Sequence, residues 1–309
     1  MGAATARRRQ ATAMGPGAWL VGVVHGMSQV FFQTNILTGL LILAAFVSQD
    51  WRMAALVVLG ASASSVAGQL LSTSGTDIRS GAQGFCGALI GASTYAALGG
   101  QWAGYPLAVV GGLLCAPVTW AVVWFFNTKA LKRFALPSTT APFCIVATLI
   151  FFATTGLHVQ APLTVVETNT EAFLESLLTN ISQVVLVDDV WGGALILLGL
   201  FIAHWKVGLA ALLGSVAGSV AALVLNDSLQ ETANGLSGYS GVLTAIAFAT
   251  VFMKGRWEPW VFAIIGSAVT AVVTLIMHTL PGPTYTWPYI LTTWAGLVLI
   301  QLAPRLYRR

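Results

Sequence analysis

"HGMSQVFFQTN", His25 to Asn35, and "TNISQVVLVDD", Thr179 to Asp189, carry one motif twice, 154 positions apart. Each places a Ser-Gln pair, Ser28-Gln29 or Ser182-Gln183, inside an otherwise apolar stretch. Amides are costly to bury there unless their hydrogen bonds are used. The same offset lays "GAQGFCGALIG" (81–91) over "GLSGYSGVLTA" (235–245), pairing Gly84 with Gly238, Phe85 with Tyr239 and Gly87 with Gly241. Two separated blocks sharing one offset of half the chain length mark a tandem duplication.

The setting of the motif is a very apolar chain. Of 309 residues 57% are hydrophobic and 8% charged, against about 25% charged in soluble domains. With no period-two segments of the barrel kind, the reading is an all-α integral membrane protein. Cys86, Cys115 and Cys144 lie in or beside apolar segments at spacings that suit neither a metal nor a disulfide framework, so they read as small core side chains. Arg7 to Arg9 precede no clean apolar core with a cleavage site and read as a topology signal.

The apolar segments fall into two sets of six: roughly 18–33, 36–48, 53–73, 84–98, 104–127 and 139–156, then 172–187, 190–203, 207–225, 238–253, 257–278 and 288–303. The first of each set ends in polar residues and abuts its successor, which predicts a re-entrant pore half-helix and five transmembrane helices per repeat. An odd number of spans inverts the second repeat relative to the first. Charge supports this: with the N-terminus cytoplasmic, thirteen of the fourteen Lys and Arg residues fall on the cytoplasmic side and only Arg52 outside. The expected layout is a cytoplasmic tail (1–17), a first repeat (18–156), an extracytoplasmic linker (157–171), a second repeat (172–303) and a cytoplasmic tail (304–309).

Inverted repeats place their site near the bilayer midplane, where interrupted helices expose backbone groups. The half-helices are expected to meet there tip to tip, with Gln29 and Gln183 near a shared axis. No Asp, Glu, Lys or Arg falls in the middle of a span, whereas proton relays and ion pathways normally carry such groups. The permeant is therefore read as neutral. A solute rich in NH groups needs acceptors, which the Gln29 and Gln183 oxygens and freed carbonyls would supply. The rings of Phe32, Phe85 and Tyr239 would wall a slot for a flat molecule. Acceptors between aromatic faces describe a site for a small planar amide.

At this point the sequence resembles the urea transporter family. "SQVFFQTNILTGLLIL" (28–43), "GFCGALIG" (84–91) and above all "LPSTTAPF" (136–143), which fits that family's LPxxTxPF signature, carry the resemblance over about residues 15–305. It implies a homotrimer in the cytoplasmic membrane, one pore per protomer, passing urea down its gradient without ion coupling or cofactor. It implies a pore formed by Gln29, Val30, Phe32, Phe85 and Thr140 and by Gln183, Val184, Leu186, Tyr239 and Thr286. The signature threonines, Thr140 and Thr286, would line the constriction. The second signature, "LPGPTYTWPY" (280–289), is two residues longer, which leaves Thr284 as a rival to Thr286. Leu186 stands where symmetry with Phe32 would put a ring, and Gln183 where other members carry a carboxylate.

Plainer readings stand beside these. Gln29 would simply bond a neighbouring helix, Phe85 and Tyr239 would pack, and Thr140 would cap the helix after Pro137. The paired glycines are read as permitting close helix approach. His25 reads as structural or mouth-lining, and His158, His204 and His278 as interface residues. The runner-up function is a channel for another small neutral solute, such as a short amide, ammonia or water. An ion-coupled carrier lacks its intramembrane carboxylate, a membrane enzyme its nucleophile and base, and no feature suggests a metal or nucleic acid.

Overall fold

In the computed structural model residues 15–71, 74–160 and 162–301 are described; both basic tails, with Arg7 to Arg9, Arg305, Arg308 and Arg309, lie outside them. The described residues fold into helices without strands. In the first half these are α1 (Pro16–Gln29), α2 (Ile36–Gln49), α3 (Trp51–Leu70), α4 (Gly75–Arg79), α5 (Phe85–Leu98), α6 (Gly104–Phe126) and α7 (Ala141–Ala153). The second half repeats the series as α8 (Asn169–Gln183), α9 (Val190–Ala203), α10 (Trp205–Val224), α11 (Leu229–Ala233), α12 (Tyr239–Ile246, continued as a π-helix over Ala247–Phe252), α13 (Glu258–His278) and α14 (Trp287–Ile300).

Polar side chains placed by the sequence set the helix boundaries. Asn35 and Asp189 stand at equivalent positions and cap α2 and α9, accepting from Thr38 N at 3.0 Å and Gly192 N at 2.6 Å. Asp50 and His204, also equivalent, cap α3 and α10. Thr168 and Glu171 close a capping box at the start of α8, so that helix begins at Asn169, inside the expected 157–171 linker.

Packing follows the same pairing. α3 lies against α5 and α6 as α10 lies against α12 and α13, while α2 packs on α9 and joins the halves. In lipid such contacts rest on small residues and hydrogen bonds rather than on the hydrophobic effect. Gly60 and Gly87 face each other so closely that a Cβ on either would overlap the other's carbonyl. Ser64 Oγ donates to Gln83 O at 2.7 Å, and Ser267 Oγ donates to Gly241 O at the same distance.

Four helices, α3, α6, α10 and α13, have the 20 or more residues that cross a hydrocarbon core of about 30 Å. The other apolar helices have 13 or 14 residues, about 20 Å at 1.5 Å per residue. The expectation of five full-length spans per half is refined accordingly: two helices in each half reach that length. The short ones lean on protein neighbours, where interrupted backbone finds partners that lipid would not give it. Tryptophans 51, 102, 191, 205 and 257 stand exposed at or beside helix ends, as an interfacial aromatic belt requires. Charged residues of the four long helices sit in their first two positions only: Arg52, Lys206 and Glu258. This is a multi-pass membrane protein.

Candidate functional site

After Gln29 and after Gln183 the chain makes one and the same turn. Gln33 N reaches back to Ser28 O at 3.0 Å, and Val187 N to Ser182 O at 3.2 Å. Phe32 and Leu186 take left-handed backbone, with φ of 60° and 61°. A second left-handed pair, Thr139 (φ 47°) and Tyr285 (φ 41°), precedes the N-caps of α7 and α14. Non-glycine residues adopt this conformation at a cost of order 1–3 kcal/mol each, and such strain gathers at functional sites.

These turns enclose two cavities. The smaller, of about 80 Å³, is lined by Gln29, Val30, Phe32, Ala82, Phe85, Thr139, Thr140 and Tyr289. The larger, of about 340 Å³, is lined by Gln183, Val184, Leu186, Leu236, Tyr239, Tyr285, Thr286 and Phe143, with Thr284, Glu231 and His278 further along. Each of the first eight residues of one cavity is the repeat counterpart of one in the other: five pairs are 154 apart, and the three from the signature segments are 146 apart.

Between the cavities Thr140 Oγ1 and Thr286 Oγ1 share a hydrogen bond at 2.6 Å, both residues at most 4% exposed. Cys144 Sγ lies 3.1 Å from the Thr286 hydroxyl. Neither threonine side chain caps its own helix. The plainer capping role for Thr140 therefore gives way to a contact across the halves. It is Thr286 that faces Thr140, while Thr284 lines the larger cavity.

The tip-to-tip meeting of the half-helices is not what is observed: each glutamine lines its own cavity, with the threonines between. The Gln29 amide donates to Thr34 Oγ1 at 2.8 Å, which turns Oε1 away as an uncommitted acceptor. The Val30 and Val184 carbonyls receive no bond among the described residues, because the left-handed turn carries the next amides back to other carbonyls. Side-chain and main-chain oxygens thus lie in succession in each half. Tyr239 donates its hydroxyl to the Tyr285 carbonyl, so it walls the larger cavity with its hydroxyl engaged. Phe32 packs edge-on against Tyr289 at 6.3 Å and against Phe252 at 6.0 Å.

Glu231 and His278, 3.3 Å apart, sit at the larger cavity, and His278 is thus a mouth residue that its place at a segment end concealed. A further cavity of about 520 Å³ shares Phe32 and is lined by His204, Lys206 and Arg256. His25 is structural, its Nδ1 lying 2.8 Å from Arg79 O, and His158 packs on Phe151. Sequence reasoning missed Ala82, Leu236, Thr139, Tyr285, Phe143 and Tyr289. Carrying the spacing of Thr140 and Thr286 one turn either way would have found the last four.

Residues 20–301 match the urea transporter family. Among curated proteins the chain is similar to urea transporter 1 of Rattus norvegicus, 27% identical over 306 residues, covering 93% of this chain and 78% of that one. It is 26% identical, with the same coverage, to urea transporter 1 of Ovis aries and of Capra hircus. The chain belongs to the urea transporter family.

Proposed function

We propose that urea crosses this protein passively, through the line of smaller cavity, threonine pair and larger cavity. The observation that carries the reading is that pair of equivalently lined cavities on either side of the Thr140–Thr286 hydrogen bond. Urea sheds water on entering and replaces it with protein hydrogen bonds. Its NH groups donate to Gln29 Oε1 and Val30 O on one side, and to Gln183 and Val184 O on the other. Phe32 and Phe85, and Leu186 and Tyr239, hold the plane of the molecule between them. At the midpoint the threonine hydroxyls part and bond the solute in place of each other. An exchange of one hydrogen bond for another leaves no deep well, and shallow sites let a solute leave as readily as it enters. Among the described residues the smaller cavity is lined by no carboxylate, amine or imidazole, and the larger one by Glu231 and His278 alone, which supports passage without ion coupling.

The wider arrangement belongs to the same proposal. α1 and α8 are re-entrant half-helices in two inverted repeats, supported by the recurrence of the Phe32 turn at Leu186 and by the distribution of basic residues. Both termini face the cytoplasm, the membrane is the cytoplasmic one, and three protomers assemble in lipid with one pore each. The site is tested by urea efflux from proteoliposomes. Thr140→Val and Gln29→Ala should each slow urea several-fold and at most about tenfold, as loss of one hydrogen bond of roughly 1 kcal/mol implies. Unchanged flux in both variants, each shown to be folded, would place the pore elsewhere.

A further inference from the structure

The smaller cavity holds one buried hydroxyl without a well-formed hydrogen bond. Tyr289 lies in the first turn of α14, is 0% exposed and lines that cavity beside Gln29, Val30 and Thr140. Its hydroxyl makes no hydrogen bond of regular geometry, with the Thr139 side chain as its polar neighbour. The other side-chain donors of the cavity are engaged: Gln29 Nε2 with Thr34 Oγ1, Thr139 Oγ1 with Ser138 O, and Thr140 with Thr286. An orphaned buried hydroxyl is destabilising and asks for an explanation. Packing does not supply one, because the repeat counterpart of Tyr289 is Phe143, which fills the equivalent place in the larger cavity with a ring alone. There the nearby tyrosine, Tyr239, already donates to the Tyr285 carbonyl.

We propose that the Tyr289 hydroxyl donates to the carbonyl oxygen of urea in the smaller cavity. This rests on urea being the permeant. Acceptors along the slot satisfy only the NH groups of a planar amide; its carbonyl keeps two lone pairs that need a donor. With Tyr289 the smaller cavity becomes a polarised site, carbonyl toward Tyr289 and NH groups toward Gln29 Oε1 and Val30 O. The larger cavity has the Phe143 ring in that place. The two halves of the pore are thus unequal: the smaller cavity recognises both ends of the solute and discriminates against analogues whose acceptor is weak.

Thiourea tests this, since its sulfur is a poor acceptor while its shape and NH groups are those of urea. Thiourea flux into proteoliposomes is measured under increasing urea, for wild type and for Tyr289→Phe, which copies Phe143. The variant should need about five-fold more urea for half-inhibition, the loss expected for one neutral hydrogen bond. Its urea flux should fall more than its thiourea flux, and its melting temperature in detergent should change little, because the hydroxyl makes no well-formed hydrogen bond within the protein. An unchanged half-inhibitory urea concentration, or an equal loss of urea and thiourea transport, overturns the proposal. Wild-type vesicles no more permeable to urea than empty ones overturn the permeant assignment on which it rests.

Discussion

Thr140 and Thr286 stand at helix N-caps without capping anything, each turning its hydroxyl to the other at 2.6 Å. Sequence alone left Thr284 and Thr286 as rivals, because the choice is made by a contact between residues 146 apart, which no local pattern encodes. Leu186 is a different kind of case. Its asymmetry with Phe32 was visible in the sequence, but that both residues share one left-handed turn was not, since neither side chain favours positive φ. The turn gives both halves the same backbone, and in the proposed pore the side chain at this position sets the width of the slot. Leu186→Phe should therefore keep urea flux within about two-fold but cut acetamide, bulkier by a methyl, by roughly tenfold, the order expected when a pocket must reject one methyl group. Equal effects on both solutes in the efflux assay would show that Leu186 does not wall the slot.

Elements were legible to the degree that they are local. The polar breaks Asn35, Asp50, Asp189 and His204 cap helices where the apolar pattern begins, so the bounds of α2, α3, α9 and α10 agree with the sequence reading within a few residues. The paired glycines also met expectation. Gly87→Ala should lower stability by about 1–3 kcal/mol, as overpacking of a tight contact does, read as a fall in melting temperature; no fall would mean that α3 and α5 are free to part. The π-helix after α12 was not legible, because it continues the same apolar run with no break residue. The loop between α8 and α9 adds a pH dependence. Burial, reinforced by Asp189 and Glu175, pushes the Asp188 carboxyl up to about 6. Between the ordinary aspartate value and 6 the folded protein binds more protons than the unfolded one, so this group favours folding at low pH and the benefit is lost as pH rises through 6. Asp188→Asn should raise the melting temperature at pH 8 and by much less at pH 4.5; equal shifts at both would remove the charge from the account.

For the whole molecule, one repeat explains most of what is seen. The 154-residue offset pairs Gln29 with Gln183 and Phe85 with Tyr239, and the structure extends the pairing to all eight residues of the smaller cavity, five at 154 and the three from the signature segments at 146. What it did not anticipate is that each glutamine lines its own cavity, with the threonine pair as a contact of the halves between them. Membership of the urea transporter family fits the proposed path through two cavities that offer hydroxyls, amide oxygens and rings. The most direct test is shrinkage and re-swelling of proteoliposomes under a urea gradient, with and without a protonophore. Urea flux well above that of empty vesicles and unaltered by the protonophore is the expected result. Flux equal to that of empty vesicles, or flux that collapses with the protonophore, would contradict a passive neutral pore.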